Sequence, residues 1–427
     1  QEMIEGDYET PFNYSLHYRL DGTGSEKILL VIGFSSCMSY WGPLVDAIHE
    51  KFPGRYTTCI YDQRGVGSST CVLTEKCSTT TIARDILGML LHLGWVGKHI
   101  PLHLISWSMG GFGSIELLNV LLKEVHSTLN ITSLTLCNTG HKFVFPPARS
   151  LIPGFTALGK GILSIFFGIS PKWIIPDVLS LHYSPKYLAD RAVYDALALE
   201  YTKRAPFTSP VYLSVIPILQ HLYAVLTHYV PKNRMRAIRE SGLSIHAIVS
   251  SEDSLIHPTA SIQLAQAIGC EFSYLPGGHM SHVENTDLVI AQLAKIWDEG
   301  LGRKFSHFRK PSVINRTHSL SSAREWTNTF VRQEEAKNWS EESILQKLNA
   351  LILSRMDRWG FKTLLTRIRS PGRLFIAPTL VLPIVLIQLS KLFSKKKSVK
   401  SKLLESGLLI YVIVLILIVQ EVTREQE

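Results

Sequence analysis

Short apolar runs alternate with longer amphipathic stretches through the first 300 residues of the chain. The runs are continuous rather than interrupted at every second position, which is typical of strands buried on both faces of a parallel sheet. The predicted strands are 27–32, 56–60, 102–106, 133–137, 245–250 and 270–274. The predicted helices cover about 40–50, 79–94, 110–124, 258–268 and 285–299. Such alternation predicts an α/β fold with a mostly parallel central sheet.

The alternation stops over residues 141–240, a stretch rich in proline and aromatic residues. We predict a mostly helical cap there, covering one end of a sheet core formed by 13–140 and 241–300. Within this stretch, the apolar run 154–169 is broken only by Lys160. We interpret the run as a helix packed inside the cap, with a membrane-touching lid as the alternative.

The basic charge of the protein belongs to its C-terminal part. Residues 301–427 hold 22 lysines and arginines against ten acidic residues, whereas the whole chain has a net charge of +9. Residues 1–300 are therefore slightly acidic. Because the basic residues flank long apolar runs, the pattern favours a membrane surface over nucleic acid as the partner. We predict no nucleic-acid binding.

Four segments follow the sheet core, and we predict membrane association for the last part of the chain. They are a polar linker at 301–340, an amphipathic helix at 341–360, and hydrophobic segments at 374–390 and 406–420. The amphipathic helix can pack on the sheet core or lie on a bilayer. Both hydrophobic segments are shorter than the roughly 20 residues of a straight span. They form a spanning hairpin, a re-entrant segment with a tail anchor, or two buried helices.

The link between the two hydrophobic segments is rich in lysine, and this places it on the cytoplasmic side of a membrane, for instance the endoplasmic reticulum membrane. A single tail anchor puts the sheet core in the cytosol, which we favour, and a hairpin puts it across the bilayer. No N-terminal signal peptide is visible, although a cleaved leader stays possible because the chain does not begin with Met. The six cysteines are too few for a disulfide scaffold. Cys71 and Cys77 lie in one loop and are expected as free thiols, with a disulfide in an oxidising compartment as the alternative.

The strongest chemical signal is Ser106-Trp107-Ser108-Met109-Gly110, which follows a predicted strand and opens a predicted helix. This sequence resembles the nucleophile elbow of the α/β-hydrolase superfamily, whose pattern is small-x-Ser-x-Gly. Ser106 departs from the commonest residue there, glycine, but is still small. The resemblance implies that Ser108 is the nucleophile of a serine hydrolase. It covers about residues 13–300.

A serine nucleophile needs a base, and the resemblance implies a histidine on a late loop that is preceded in the chain by an acid. His279 follows the last predicted strand, and Asp253 follows the strand before it. Asp253 then orients the His279 ring and stabilises its charged form. Glu252 is the alternative acid. His257 and His282 are the alternative bases and are interpreted as loop histidines.

The same resemblance implies an oxyanion hole built from backbone N–H groups. Met109, which follows the nucleophile, supplies one donor. Phe34 supplies the other from the loop after the first predicted strand, with Ser35 as the alternative. The histidine that usually precedes glycine in this loop is replaced by Ile32. A further family landmark, 61–69, is interpreted as a tight turn in which Arg64 pairs with a carboxylate or with backbone carbonyls.

The sequence is similar in particular to monoacylglycerol-lipase-like and other membrane-associated lipases and esterases. That resemblance implies cleavage of carboxylic esters, with lipid esters as the expected substrate. The alternatives are an acyltransferase or thioesterase with the same three residues, or a non-catalytic, membrane-tethered binding protein. We find no metal-ligand cluster, no phosphate-binding P-loop and no dinucleotide-binding loop, so neither a cofactor nor a metal is expected.

Overall fold

The computed structural model describes residues 3–72, 75–122, 129–143, 157, 174–204 and 211–298. Several predicted segments lie outside the described residues: 301–340, 341–360, 374–390, 406–420 and nearly all of 154–169. Within the described part of the chain, no helix combines the length and the apolar character needed to cross a bilayer.

Eight strands of the described chain form one sheet. They are β1 (Met3–Glu9), β2 (Ser15–Asp21), β3 (Glu26–Val31), β4 (Tyr56–Tyr61), β5 (Gly97–Trp107), β6 (Leu129–Cys137), β7 (Ile245–Ser250) and β8 (Glu271–Leu275). Their spatial order is β1-β2-β4-β3-β5-β6-β7-β8. Strand β2 pairs antiparallel with β1 and β4, and every other pairing is parallel. The mostly parallel sheet predicted from the apolar runs is confirmed.

The N-terminal hairpin of β1 and β2 corrects the sequence analysis, which placed the start of the core at residue 13. Met3 pairs with Asp21 and Glu9 with Ser15, so the sheet begins before that boundary. Strand β1 lies at the edge of the sheet, and Met3 and Ile4 are exposed. An edge strand with one solvated face needs no continuous apolar run, which is why the pattern did not show it.

Helices lie between the parallel strands and after β8. Except for a four-residue helix after β8 that was not predicted, their bounds agree with the predicted ones to within a few residues. They are α1 (Gly42–Lys51), α2 (Thr79–His92), α3 (Met109–Leu121), α9 (Pro258–Ile268), α10 (Ser281–Glu284) and α11 (Thr286–Asp298). The ends follow ordinary capping rules. Ser78 and Thr81 form a capping box at the start of α2, and Gly269 closes α9 with a φ of +70°.

Residues 141–240, here named the cap segment, contain five described helices, all of them after residue 174. They are α4 (Ile175–His182), α5 (Pro185–Leu188), α6 (Arg191–Arg204), α7 (Val211–Thr227) and α8 (Lys232–Glu240). Ile175, Leu179 and Tyr183 form a small apolar cluster with Met280, which follows β8. The cap segment therefore packs directly on a loop of the sheet core.

The main core lies between the sheet and helices α1 and α11. Trp41 and Trp107 are its largest fully buried side chains, and their rings meet edge to face at 5.8 Å between centroids. Ile105 and Leu293 belong to the same cluster. Since Trp107 ends β5, this packing fixes the C-terminal end of the central strand.

A buried arginine holds the turn that follows β4. The Arg64 guanidinium donates to both carboxylate oxygens of Asp85, at 2.7 and 2.6 Å, and to Glu75 at 2.8 Å. Arg64 and Asp85 are each 1% exposed. The carboxylate partner expected for Arg64 is present, and the paired charges make this turn a rigid part of the fold.

Candidate active site

Ser108 sits on a sharp turn between the end of β5 and the start of α3. Its φ of 55° and ψ of −124° are unusual for a residue with a side chain. The turn requires glycine at position 110, since a Cβ there would lie 2.3 Å from the carbonyl oxygen of Val31. Ser108 is partly exposed, whereas Trp107 and Met109 on either side of it are buried. The turn therefore presents the hydroxyl at the carboxyl edge of the sheet.

Ser106, the unusual residue of the elbow sequence, has a structural partner. Its hydroxyl lies 2.7 Å from that of Ser114 on α3, and both side chains are completely buried. A buried hydroxyl is tolerated where it has a hydrogen-bond partner. The paired serine on the facing helix thus explains how this chain accommodates Ser106 in place of glycine.

His279 and Asp253 meet on the loops that follow β8 and β7. Nδ1 of His279 lies 2.8 Å from Oδ2 of Asp253, and the two residues are 4% and 1% exposed. The other carboxylate oxygen, Oδ1, accepts the backbone N–H groups of Leu255 and Ile256, each at 2.8 Å. Because an ionised carboxylate only accepts hydrogen bonds, Nδ1 of His279 carries a proton. In the neutral ring, the lone pair is then on Nε2.

Two hydrogen bonds seat the His279 loop beside the serine turn. The carbonyl oxygen of His279 accepts from Trp107 Nε1 at 2.7 Å and from Asn138 Nδ2 at 2.8 Å. Trp107 directly precedes Ser108. Asn138, which was not predicted, follows β6, has a φ of 46° and also exchanges hydrogen bonds with Ser250. Its place at the carboxyl end of a central parallel strand was the available signal.

The loop after β3 lies against Ser108. A Cβ built on Gly33 would lie 2.8 Å from Ser108 Cβ and 3.2 Å from its Oγ, so only glycine fits there. The backbone N–H of Ser35 donates to Nδ1 of His221 at 3.1 Å. Among the described residues, the N–H groups of Phe34 and Met109 have no hydrogen-bond acceptor. Ser35, the alternative oxyanion donor, is thus already engaged, whereas Phe34 and Met109 keep their N–H groups available.

A family model described as the alpha/beta hydrolase family matches residues 28–292. The chain belongs to this family. The matched range contains most of β3, all of β4 to β8, the serine turn and the loops that carry Asp253 and His279.

Individual relatives are distant. A protein of Acinetobacter baylyi, provisionally named carbamate hydrolase RutD, is 23% identical over 273 residues, which are 64% of this chain and 92% of the relative. A protein of the same provisional name from Caulobacter vibrioides is 29% identical over 98 residues, 22% of this chain and 35% of the relative. The chain therefore matches about a third of the length of the Caulobacter relative.

Solved structures share the fold. The alpha/beta hydrolase MGS-M2, from a Medee basin deep-sea metagenome library, has a TM-score of 0.53 and 18% identity, covering 72% of this chain and all (100%) of its own. A thermophilic esterase from Thermogutta terrifontis has a TM-score of 0.51 and 17% identity, covering 71% of this chain and 100% of its own. At this identity the likeness concerns the arrangement of strands and helices.

In this alpha/beta hydrolase, Glu252 and His282 lack the contact that joins Asp253 to His279. Glu252 is exposed, and its neighbour Asp253 meets His279 instead. His282 is fully buried between the rings of Trp41 and Trp107, with centroids 4.6 and 4.1 Å away. Burial lowers the pKa of His282 well below its usual value, and the nearby His279 adds to this effect. No described carboxylate contacts His282, so it lacks the orienting partner that His279 has.

Glu284, which was not predicted either, connects the base loop to the cap segment. Its carboxylate accepts the backbone N–H of Gly278 at 2.9 Å and that of Ser184 at 3.1 Å. The Ser184 hydroxyl donates to the same carboxylate. Gly278 directly precedes His279, so one side chain holds both the base loop and the entry to α5.

Two further groups complete the surroundings of the site. His182, at the end of α4, lies with its ring centroid 6.2 Å from that of His279. Desolvation, reinforced by the neighbouring His279, lowers the pKa of His182 to about 4, so it is neutral at physiological pH. All six cysteines are free thiols, as expected for Cys71 and Cys77. No described group of three or more histidine, cysteine or acidic side chains is arranged to hold a metal ion.

Proposed function

We propose that this alpha/beta hydrolase is a serine hydrolase that cleaves carboxylic esters, with lipid esters as its substrate class. Ser108 is the nucleophile, His279 the general base and Asp253 the residue that orients the base. The observation that carries this proposal is the 2.8 Å contact between His279 Nδ1 and Asp253 Oδ2, on a loop hydrogen-bonded to the residue before Ser108. The contact leaves Nε2 of the base available for the serine proton.

The reaction proceeds in two acyl transfers. Ser108 Oγ forms a bond to the ester carbonyl carbon while its proton passes to His279 Nε2. The tetrahedral intermediate collapses, the bond to the alcohol oxygen breaks, and His279 gives the proton to the departing alcohol. A water molecule then forms a bond to the acyl carbon while its proton passes to His279. The bond between that carbon and Ser108 Oγ breaks, Ser108 takes the proton from His279, and the carboxylic acid leaves. Asp253 stays ionised and stabilises the imidazolium in both halves.

The negative oxygen that forms in each half is stabilised by the Phe34 and Met109 N–H groups. Both belong to structures that lie against Ser108: Phe34 follows Gly33, and Met109 begins α3. Donors fixed before the reaction need no reorganisation when charge develops. Removing one such donor typically lowers kcat by about 10²–10³.

The preference for lipid esters rests on the sequence. The cap segment is rich in apolar and aromatic residues, and apolar segments follow the sheet core. Because relatives and structural neighbours include proteins named as carbamate hydrolase, enol-lactonase and esterase, the substrate panel should contain these acyl classes as well. Thioesters and alternative acyl acceptors in the same panel separate a hydrolase from a thioesterase or acyltransferase.

The matched experiment compares Ser108→Ala with Ser106→Ala, using a fluorophosphonate probe and a panel of p-nitrophenyl and monoacylglycerol esters. Ser108→Ala should lose both labelling and ester hydrolysis. Ser106→Ala removes a neighbouring hydroxyl that pairs, among the described residues, with Ser114, and should keep both labelling and hydrolysis. Undiminished labelling of Ser108→Ala would place the nucleophile elsewhere. A folded wild-type protein with neither labelling nor turnover would favour a non-catalytic binding role.

We also propose that the chain associates with a membrane through 374–390 and 406–420, with its sheet core in the cytosol and the endoplasmic reticulum as the expected membrane. The support is the uncharged composition of the two segments and the lysine-rich link between them. Retention of the full chain in the membrane pellet at high salt and alkaline pH should disappear when Val414 is replaced by Arg. Protease protection of sealed membranes then assigns the side of the sheet core.

A further inference from the structure

His221 connects the cap segment to the loop that lies on Ser108. It belongs to α7, and its side chain is completely buried. Nδ1 of the ring accepts the backbone N–H of Ser35 at 3.1 Å, and Nε2 lies 3.1 Å from the carbonyl oxygen of Arg64. One imidazole thus joins a cap helix, the loop after β3 and the turn after β4.

The two partners permit a single protonation state of this ring. A backbone N–H can only donate, so Nδ1 of His221 must be unprotonated. A backbone carbonyl can only accept, so Nε2 must carry the proton. Desolvation, together with the positive charge of Arg64, lowers the pKa of His221 to about 4. The neutral form that satisfies both bonds is therefore the form present at physiological pH.

The Arg64 carbonyl is a fixed point for His221 to hold. The side chain of the same arginine is buried and paired with Asp85 and Glu75. The ion pairs thus restrain the position of Arg64, the Arg64 carbonyl restrains the His221 ring, and the ring restrains the backbone of Ser35. The ring of Phe34 also meets the His221 ring edge to face, at 6.1 Å between centroids.

The restrained loop has an unusual backbone. Ser35 has a φ of 47°, a conformation that non-glycine residues seldom adopt, and the Ser36 hydroxyl donates to the Phe34 carbonyl oxygen at 3.1 Å. The bond to His221 occupies the Ser35 N–H and leaves that of Phe34 available. Since Gly33 lies in contact with Ser108, a small change in this backbone moves the Phe34 donor relative to the nucleophile.

We propose that His221 is a positioning residue for the oxyanion hole: it holds the 33–36 loop in the conformation that offers Phe34 N–H to the substrate and makes that conformation depend on the cap helix α7. The proposal rests on the serine-hydrolase function above. A cap residue that fixes the oxyanion loop links cap closure over a substrate with completion of the catalytic site.

The test uses the full chain and three variants. His221→Leu fills the space without an acceptor, and His221→Asn places an amide oxygen near the position of Nδ1. The matched control is His228→Leu, which removes another buried histidine just after α7 whose ring stacks on Phe112 and bonds Thr79 and Gly140. Each protein is assayed with a short p-nitrophenyl ester and the matching thionoester, whose developing sulfur anion takes little stabilisation from N–H donors.

His221→Leu should lower kcat for the ester by about 10- to 100-fold, somewhat less than the loss of a whole donor, with little change in KM. The ester-to-thionoester ratio of kcat/KM should fall with it. His221→Asn should recover part of both values, and His228→Leu should keep the wild-type ratio. A general loss of folding lowers both substrates equally and leaves the ratio unchanged.

Hydrogen exchange of peptides covering 33–37 supplies a readout that needs no substrate. Exchange should be faster in His221→Leu than in the wild type and in His228→Leu. An unchanged ratio together with unchanged exchange overturns the proposal. A third outcome is that the wild type hydrolyses no acyl substrate while exchange of 33–37 is still faster in His221→Leu. That outcome would contradict the serine-hydrolase function and support the restraint of the loop by His221.

Discussion

Asp253 serves His279 and its own loop with different oxygen atoms. Oδ2 lies 2.8 Å from His279 Nδ1, while Oδ1 accepts the backbone N–H groups of Leu255 and Ile256. The turn that fixes the carboxylate therefore does not compete with the histidine. A substitution can therefore change the hydrogen bond between Asp253 and His279 while keeping the two bonds from the Leu255 and Ile256 N–H groups.

Asp253→Asn should abolish most activity while preserving the fold. The asparagine oxygen can still accept from Leu255 and Ile256, so its NH2 group faces His279 and forces Nδ1 to be the acceptor. The proton then sits on Nε2, which can no longer take the serine proton. We expect kcat to fall by about 10³–10⁴, as measured with the best ester of the panel.

Glu252→Gln is the control for that variant, because the adjacent carboxylate is exposed and should leave kcat within about twofold of the wild type. If Glu252→Gln abolished turnover while Asp253→Asn did not, the assignment of the orienting acid would be reversed. Thermal unfolding of both variants verifies that any loss comes from the histidine tautomer rather than from unfolding.

Ser108, Asp253 and His279 stand out in the sequence because each lies shortly after a predicted strand, in the chain order that the family resemblance implies. The carboxyl ends of parallel strands meet at one edge, so order along the chain becomes proximity in space. His221 gave no such signal. It lies in a helix of the cap segment, 186 residues from its partner Ser35 along the chain. Contacts of that kind depend on tertiary packing, which neither periodicity nor local motifs encode.

Gly33→Ala should damage the site more than the fold. A Cβ at this position would lie 2.8 Å from Ser108 Cβ and 3.2 Å from Ser108 Oγ, a separation that requires the loop or the nucleophile to move. Since a misplacement of about 1 Å can cost on the order of 10² in rate, we expect at least that loss of kcat/KM.

Gly42→Ala is the matched control for Gly33→Ala. Nothing lies within 4 Å of a Cβ at Gly42, whose backbone is helical, so the variant should keep full activity. It should also be as stable as the wild type or up to about 1 kcal/mol more stable. Fluorophosphonate labelling rates of the two variants give the comparison directly. Equal rates would show that the loop tolerates a side chain beside Ser108.

Arg64→Met should destabilise the fold strongly because it leaves the buried Asp85 carboxylate without its cationic partner and with the Tyr14 hydroxyl as its remaining side-chain donor among the described residues. Both oxygens of that carboxylate are bonded to Arg64, and both residues are 1% exposed. Breaking a buried pair of this kind costs about 3–5 kcal/mol. The double variant Arg64→Met with Asp85→Leu should recover part of the loss, because it removes the orphaned charge as well.

The exposed pair Arg191 and Asp195 provides the comparison for the buried one. Its side chains are 82% and 56% exposed, so Arg191→Met should cost roughly 0.5 kcal/mol or less. Urea unfolding at neutral pH measures all of these free energies. A cost for Arg64→Met no larger than that for Arg191→Met would mean that the cluster does not stabilise the turn that carries the His221 acceptor.

Buried histidines should make the folded state lose stability below neutral pH. Desolvation lowers the pKa of His246 to about 4 and that of His228, which is also buried, to about 3. In the unfolded chain each histidine binds a proton near pH 6.5, whereas in the fold it stays neutral until the pH approaches the lowered value. Stability is therefore greatest above pH 6.5 and falls as the pH drops from there towards 4.

Each such histidine should contribute about 2 kcal/mol to the loss between pH 7 and pH 5. His246→Leu offers the sharpest measurement. His246 lies at the beginning of β7, where its ring contacts Ser273 of β8, and the Asp253 loop lies at the other end of β7. Urea unfolding of this variant and of the wild type at both pH values should show a smaller pH-dependent loss in the variant. Equal losses would mean that His246 binds its proton as readily in the folded protein as in the unfolded chain.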